Sequence, residues 1–304
     1  MNPSLSRRLL AVGTAGLLVS GLAACGSKKS SESTTTAAAA TETTAAGAAT
    51  AAECAKSAAT ITAGKLTVAT GNPAFGPWVI DDKPETGQGY EAAVAYAVAG
   101  ELGYTKENVV WVRTGFDEVI APGPKSFDFN LQQYTITAER SKVVSFSNPY
   151  YVTNQALVMF ADSPFAKATK MSELKDAKLG AAVGTTSLDF ITNVIKPTTA
   201  AQVFDDNTGA KTALEAKQID GILVDLPTSG AIAYGELTNG TVVGQFVRAE
   251  GEKGDELGML FAKDNPLVAC VNLALANLQS NGTLDKIETE WLKGSNGIAV
   301  IARD

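Results

Sequence analysis

Apolar residues along this chain follow two alternating rhythms. Short apolar runs bounded by Gly, Pro, Asn or charged residues predict buried strands at 65–70, 109–112, 127–131, 156–160, 179–183, 203–204, 221–224, 242–247 and 259–261. Between them, Tyr90, Val94, Val98 and Leu102 recur every fourth position with alanines in the gaps, which predicts an amphipathic helix closed by Gly100 and Gly103. Further helices are predicted around Leu174 and over 208–216, 266–278 and 284–291. Thr186 and Asp189 have the spacing of a capping box, and Pro227 suits a first helical turn.

Strand and helix alternate in two blocks of about 90 residues, each an ordinary domain size. The fold class is therefore α/β, with mainly parallel sheets and helices on both faces. Ligands of such sheets sit beyond the carboxyl ends of the strands. That rule singles out Phe75, Thr135, Arg140, Gly184 to Thr186 and Asp225.

The start of the chain reads differently. Arg7 and Arg8 precede an apolar stretch from 9 to 22, and Ala23 and Ala24 lead into Cys25. A basic start, a short apolar run and small residues before a cut form a secretory signal. The run falls short of the ~20 apolar residues that span a bilayer. Leu22-Ala23-Ala24-Cys25 resembles the lipobox of bacterial lipoproteins. The resemblance implies a signal peptide at 1–24, lipid on Cys25 and a protein anchored to the outer face of the bacterial cell membrane. Residues 26–53 are mostly Ser, Thr and Ala with no large apolar side chain, so they are expected to form a disordered linker.

Charge and missing residue types narrow the chemistry. The chain has 304 residues; removing the four basic and three acidic residues of 1–53 from the totals of 25 and 32 leaves 21 against 29, a net of −8. Such a surface repels phosphate backbones, so no nucleic-acid partner is expected. Histidine is absent, which removes the commonest general base and the commonest transition-metal ligand; neither a metal nor another cofactor is expected. With Cys25 taken by lipid, Cys54 and Cys270 either pair in an oxidising compartment or lie as two separate buried thiols. A bond would close a loop of about 215 residues and contribute ~2–4 kcal/mol on the entropic view.

One stretch is far more specific than the rest. Phe127-Asp128-Phe129 is followed by Thr135-Ile136-Thr137-Ala138-Glu139-Arg140 and then by Val144-Ser145-Phe146-Ser147-Asn148-Pro149-Tyr150-Tyr151. Together with Asn281-Gly282-Thr283-Leu284 and the late Trp291, it resembles the bacterial extracellular solute-binding proteins of family 3, the polar amino acid type that serves ABC importers. The resemblance covers nearly all of 65–294. It implies a two-lobed, periplasmic-binding-protein-like fold with two hinge crossovers, one after Tyr151 and one near 247–251. Lobe 1 would then comprise 54–151 plus 249–304, and lobe 2 residues 152–248. It also implies a monomer that captures an amino acid and hands it to permease subunits.

An amino acid ligand gives the marked residues their chemistry. Arg140 supplies a rigid two-pronged donor for an α-carboxylate, and Thr135 adds a backbone N–H and a hydroxyl. Thr185 and Thr186 open a helix whose N-terminus favours a carboxylate. Asp225 fits the α-ammonium, or is simply an N-cap before Leu226-Pro227. Phe75, Phe116 and Trp78 are candidates to enclose the side chain, or are plain packing. Gly71-Asn72-Pro73 stands where the family often has an acid, and Gln132-Gln133-Tyr134 replaces its usual small residues, which places the Gln133 amide near the cleft.

Two other classes remain in play. Some relatives of this fold are dehydratases of cyclic carboxylates; Glu139, Asp117 and Glu118 are the acid or base candidates such chemistry would need. A ligand-sensing surface lipoprotein would use the same cleft.

Overall fold

The computed structural model describes residues 50–248, 254–293 and 297–304. The expected signal segment with Cys25, residues 26–49 of the expected linker and most of the expected second crossover lie outside the described residues. Two five-stranded sheets form the body. The first runs Val109–Thr114, Leu66–Gly71, Phe129–Asn130, Leu260–Phe261, Ser145–Phe146 in spatial order. The second runs Gly240–Phe246, Gln155–Phe160, Gly221–Asp225, Leu179–Ala182, Gln202–Phe204.

Each sheet has a parallel centre: Leu66–Gly71 lies parallel to both its neighbours, and so does Leu179–Ala182. Antiparallel strands complete the sheets where the chain passes between lobes. Gln155–Phe160 enters the second sheet against the direction of Gly221–Asp225, and Leu260 returns against Asn130. A two-stranded antiparallel ribbon, Tyr151–Thr153 with Asp255–Leu257, joins these passages, with Thr153 opposite Asp255.

The periodic helix spans Tyr90–Glu101, with Tyr90, Val94 and Val98 buried. It packs with the helix Leu267–Ser280 and with Leu66, Val68, Phe129 and Phe261 in one core. Burying each valine fully is worth about 1.5–3 kcal/mol. Gly103, at φ +88°, turns the chain out of the helix.

Three details depart from the sequence reading. First, the last residues of the expected linker, from Ala51 on, are helical. The helix Ala51–Ser57 opens on a capping box, with Thr50 accepting from Glu53 N and the Glu53 carboxylate accepting from Thr50 N. It is stapled by a Cys54–Cys270 disulfide with Cα atoms 5.3 Å apart.

Second, the cap of the helix Thr186–Phe190 is Thr185, whose hydroxyl accepts from Leu188 N at 3.1 Å. Gly184, at φ +70°, makes the turn, so Thr185 is the last extended residue and Thr186 is already helical.

Third, the last residues of the segment 249–304 pack on the second sheet. Leu284 and Leu292 still pack in the first core, but Ile301 is buried among Leu157, Met159, Leu179 and Phe246 of the second. Its N–H donates to Gln245 O at 2.9 Å, and Met171 N donates to Ala302 O at 3.0 Å. A buried apolar side chain with paired backbone on both sides is sufficient physical reason for the attachment.

Candidate ligand-binding site

Arg140 begins a single turn, Arg140–Lys142, whose N–H donates to Thr137 Oγ1 at 3.1 Å. The residue is 8% exposed. Its Nη1 donates to Thr135 O at 2.7 Å and its Nη2 to Gly184 O at 2.8 Å, so the guanidinium touches both lobes. It also lies 5.4 Å from the centre of the Phe116 ring. A guanidinium has five N–H donors, so three remain for a ligand. Thr135 Oγ1 meets Thr186 Oγ1 at 3.2 Å, a second contact across the lobes that is open to Thr186 because Thr185 does the capping.

Asp225 ends the strand Gly221–Asp225 and stands at the N-cap of the helix Leu226–Gly230, yet its side chain makes no cap bond. Pro at the helix start explains this in part: it removes one of the N–H groups a cap would serve. The carboxylate is left for the cavity. Burial pushes its pKa up to about 8, with further upward pressure from the Asp255 and Glu91 carboxylates and relief from Arg140. A carboxylate with that bias, half-buried and without a cap bond, is a site prepared for a cation.

Between Arg140 and Asp225 lies a cavity of about 260 Å³. Phe75, Phe116, Gln133, Thr135, Arg140, Thr185, Thr186 and Asp225 all line it, as do Asn72, Gln132 and Asp206. Phe116 stacks on Tyr134 with ring centres 4.8 Å apart, which fixes one aromatic wall. Asp206 is partly committed, since its Oδ1 accepts from Gly209 N as a helix cap.

Trp78 is not in this wall. It is fully buried, packs edge-on against Tyr90 and Tyr151, and donates from Nε1 to Thr228 Oγ1 at 2.8 Å. The ring satisfies its one polar atom across the lobes, and its apolar area is taken up by the core. None of the acid or base candidates lines the cavity; Glu139 pairs with Lys142 at the surface and Glu118 accepts from Gly115 N.

Glu91 escaped notice in the sequence. It is 1% exposed and accepts from Gln133 N at 2.8 Å, from Gln133 Nε2 at 2.5 Å and from the Tyr150 hydroxyl. Gln133 therefore lines the cavity with its amide turned back to Glu91. A charged residue on the same helical face as Val94 and Val98 was the available signal.

A cavity between two α/β lobes, with a guanidinium from one and a carboxylate from the other, defines a small-molecule binding protein. Residues 66–294 match the bacterial extracellular solute-binding proteins, family 3, and the chain belongs to that family. It is 30% identical over 206 residues to the L-cystine-binding protein TcyJ of Escherichia coli (strain K12), covering 67% of this chain and 73% of that one. It is 25% identical over 236 residues to the arginine-binding periplasmic protein of Mannheimia haemolytica, covering 77% and 94%. A solved structure of an ancestral arginine-binding protein bound to arginine matches with a TM-score of 0.62 at 28% identity, over 75% of this chain and 98% of that one.

Proposed function

We propose that the cavity captures one amino acid zwitterion and that the protein is the substrate-binding component of an ABC importer. Arg140 grips the α-carboxylate with the donors left free by Thr135 and Gly184, assisted by Thr135 and the helix start at Thr185 and Thr186. Asp225 takes the α-ammonium. Phe75 and Phe116 flank the side chain, while Asn72 and Gln132 favour a polar one. The observation that carries this reading is the Asp225 carboxylate, free of any cap bond, in the same cavity as a buried guanidinium.

Since Arg140 and Thr135 belong to one lobe and Gly184 to Asp225 to the other, the ligand stabilises the closed arrangement. The lobes are read as 54–151 with the segment returning after the second crossover, and 152–248 with the tail added. A monomer tethered through lipid on Cys25 would present the closed form to the permease from outside the membrane. Among the described residues no helix is long and apolar enough to cross a membrane.

The test is a thermal-shift screen of the common L-amino acids and L-cystine. A ligand at 100 times its dissociation constant adds ~2.7 kcal/mol of stability. Arg140→Ala is expected to abolish the shift with the fold retained; a variant that responds like the parent removes the carboxylate assignment.

A further inference from the structure

We infer that Glu91 is a positioning residue for this cavity: its buried carboxylate holds Gln133 in a left-handed turn at the cavity wall and, through Tyr150, ties that wall to the ribbon where the chain first changes lobe. The inference rests on the reading of the cavity as an amino acid site and extends it to a residue outside the lining.

The geometry is that of a clamp. Gln133 has φ +51°, a region non-glycine residues seldom enter. Glu91 compensates by accepting both the backbone and side-chain N–H of that one residue. The next residue, Tyr134, carries the ring stacked on Phe116, and the one after, Thr135, carries the carbonyl that anchors Arg140. Displacing Gln133 thus disturbs the aromatic wall and the guanidinium within two residues. On the other side, Tyr150 gives its hydroxyl to Glu91, and its N–H to Leu257 O at 2.9 Å in the ribbon.

The charge arrangement adds a second role. The donors to Glu91 are an amide N–H, a side-chain amide and a phenol, all neutral. The ionisable groups around it are Tyr90 on its own helix, Tyr134, Tyr150 and Asp225; Asp225 in turn feels Asp255 and Arg140. Burial pushes the Glu91 pKa up to about 7. A protonated carboxyl turns one oxygen into a donor, so the Gln133 side-chain amide that faces it must turn over or let go. An ammonium seated at Asp225 favours the ionised form of both acids, so capture is accompanied by proton release and strengthens as pH rises.

The experiment measures binding by calorimetry between pH 5.5 and 8.5, using whichever of the twenty standard L-amino acids and L-cystine binds the parent most tightly. Glu91→Gln sets an N–H against a donor and is expected to weaken binding roughly ten-fold or more. It also relieves Asp225 of a like charge, which moves the pH midpoint of binding downward. Glu91→Asp recovers part of the affinity. Tyr150→Phe keeps the carboxylate but removes one donor, which moves the midpoint upward. A purely structural Glu91 would lower thermal stability and leave the affinity of the folded variants at the parental value, whatever the loss of a like charge does to the midpoint. A folded Glu91→Gln with parental affinity at the pH of tightest binding overturns the inference; if that variant does not fold, parental affinity and an unshifted profile for Tyr150→Phe do so. A parent that binds none of these probes overturns the amino acid reading, and this inference with it.

Discussion

Arg140 Nη2 donates to the carbonyl oxygen of Gly184 at 2.8 Å, so the group suited to a ligand carboxylate is itself a bond between the lobes. Gly184 sits at φ +70°, and a Cβ there would collide with the Asp117 carboxylate. Gly184→Ala is therefore expected to lose ~1–2 kcal/mol through the left-handed backbone alone and to move the carbonyl off Arg140. Binding should weaken with it. Repeating the substitution in an Asp117→Ala background separates the clash from the backbone cost: denaturation should recover the first part and leave the second.

Asp225 makes stability pH-dependent in a defined direction. Its carboxyl is raised from the usual range near 4 to about 8, first by burial and then by Asp255 and Glu91. The folded, unliganded protein therefore holds this proton more tightly than the unfolded chain. The associated stability is present below the unfolded pKa and is lost as pH climbs toward about 8. Urea denaturation of unliganded protein from pH 5 to 8.5 should show this fall. Asp225→Asn should flatten most of it, leaving the smaller fall due to Glu91, and should also abolish amino acid binding.

The Cys54–Cys270 bond closes a separation of 216 residues, yet both ends lie in the first core. Reduction, or Cys270→Ser with Cys54→Ser, is expected to lower stability by ~2–4 kcal/mol. Because the bond does not cross the cleft, the affinity for an amino acid measured at a temperature where the protein stays folded should be unchanged. Lost affinity in a still-folded variant would mean that the helix Ala51–Ser57 communicates with the cavity.

Much of the architecture was legible in the chain alone. Tyr90, Val94 and Val98 declare a helix through their spacing, and short β-rich runs ending in Gly, Thr or Asp declare strands, because burial on one face imposes a period on the residues of that face. Strand ends follow from the same patterns, which is why Arg140, Thr135, Thr185, Thr186 and Asp225 could be marked as candidates and are found around one cavity.

Tertiary structure decided what those patterns could not carry. Trp78 finds its partner Thr228 at a separation of 150 residues, Glu91 finds Gln133 at 42, and Arg140 finds Gly184 at 44. The tail finds Gln245 rather than the helix it has just left. Periodicity reports whether a side chain is buried; it says nothing of which distant donor or acceptor awaits it there. A lone Glu on an apolar face is tolerable only where the folded chain brings donors to it, and those donors come from segments that are neighbours in space alone.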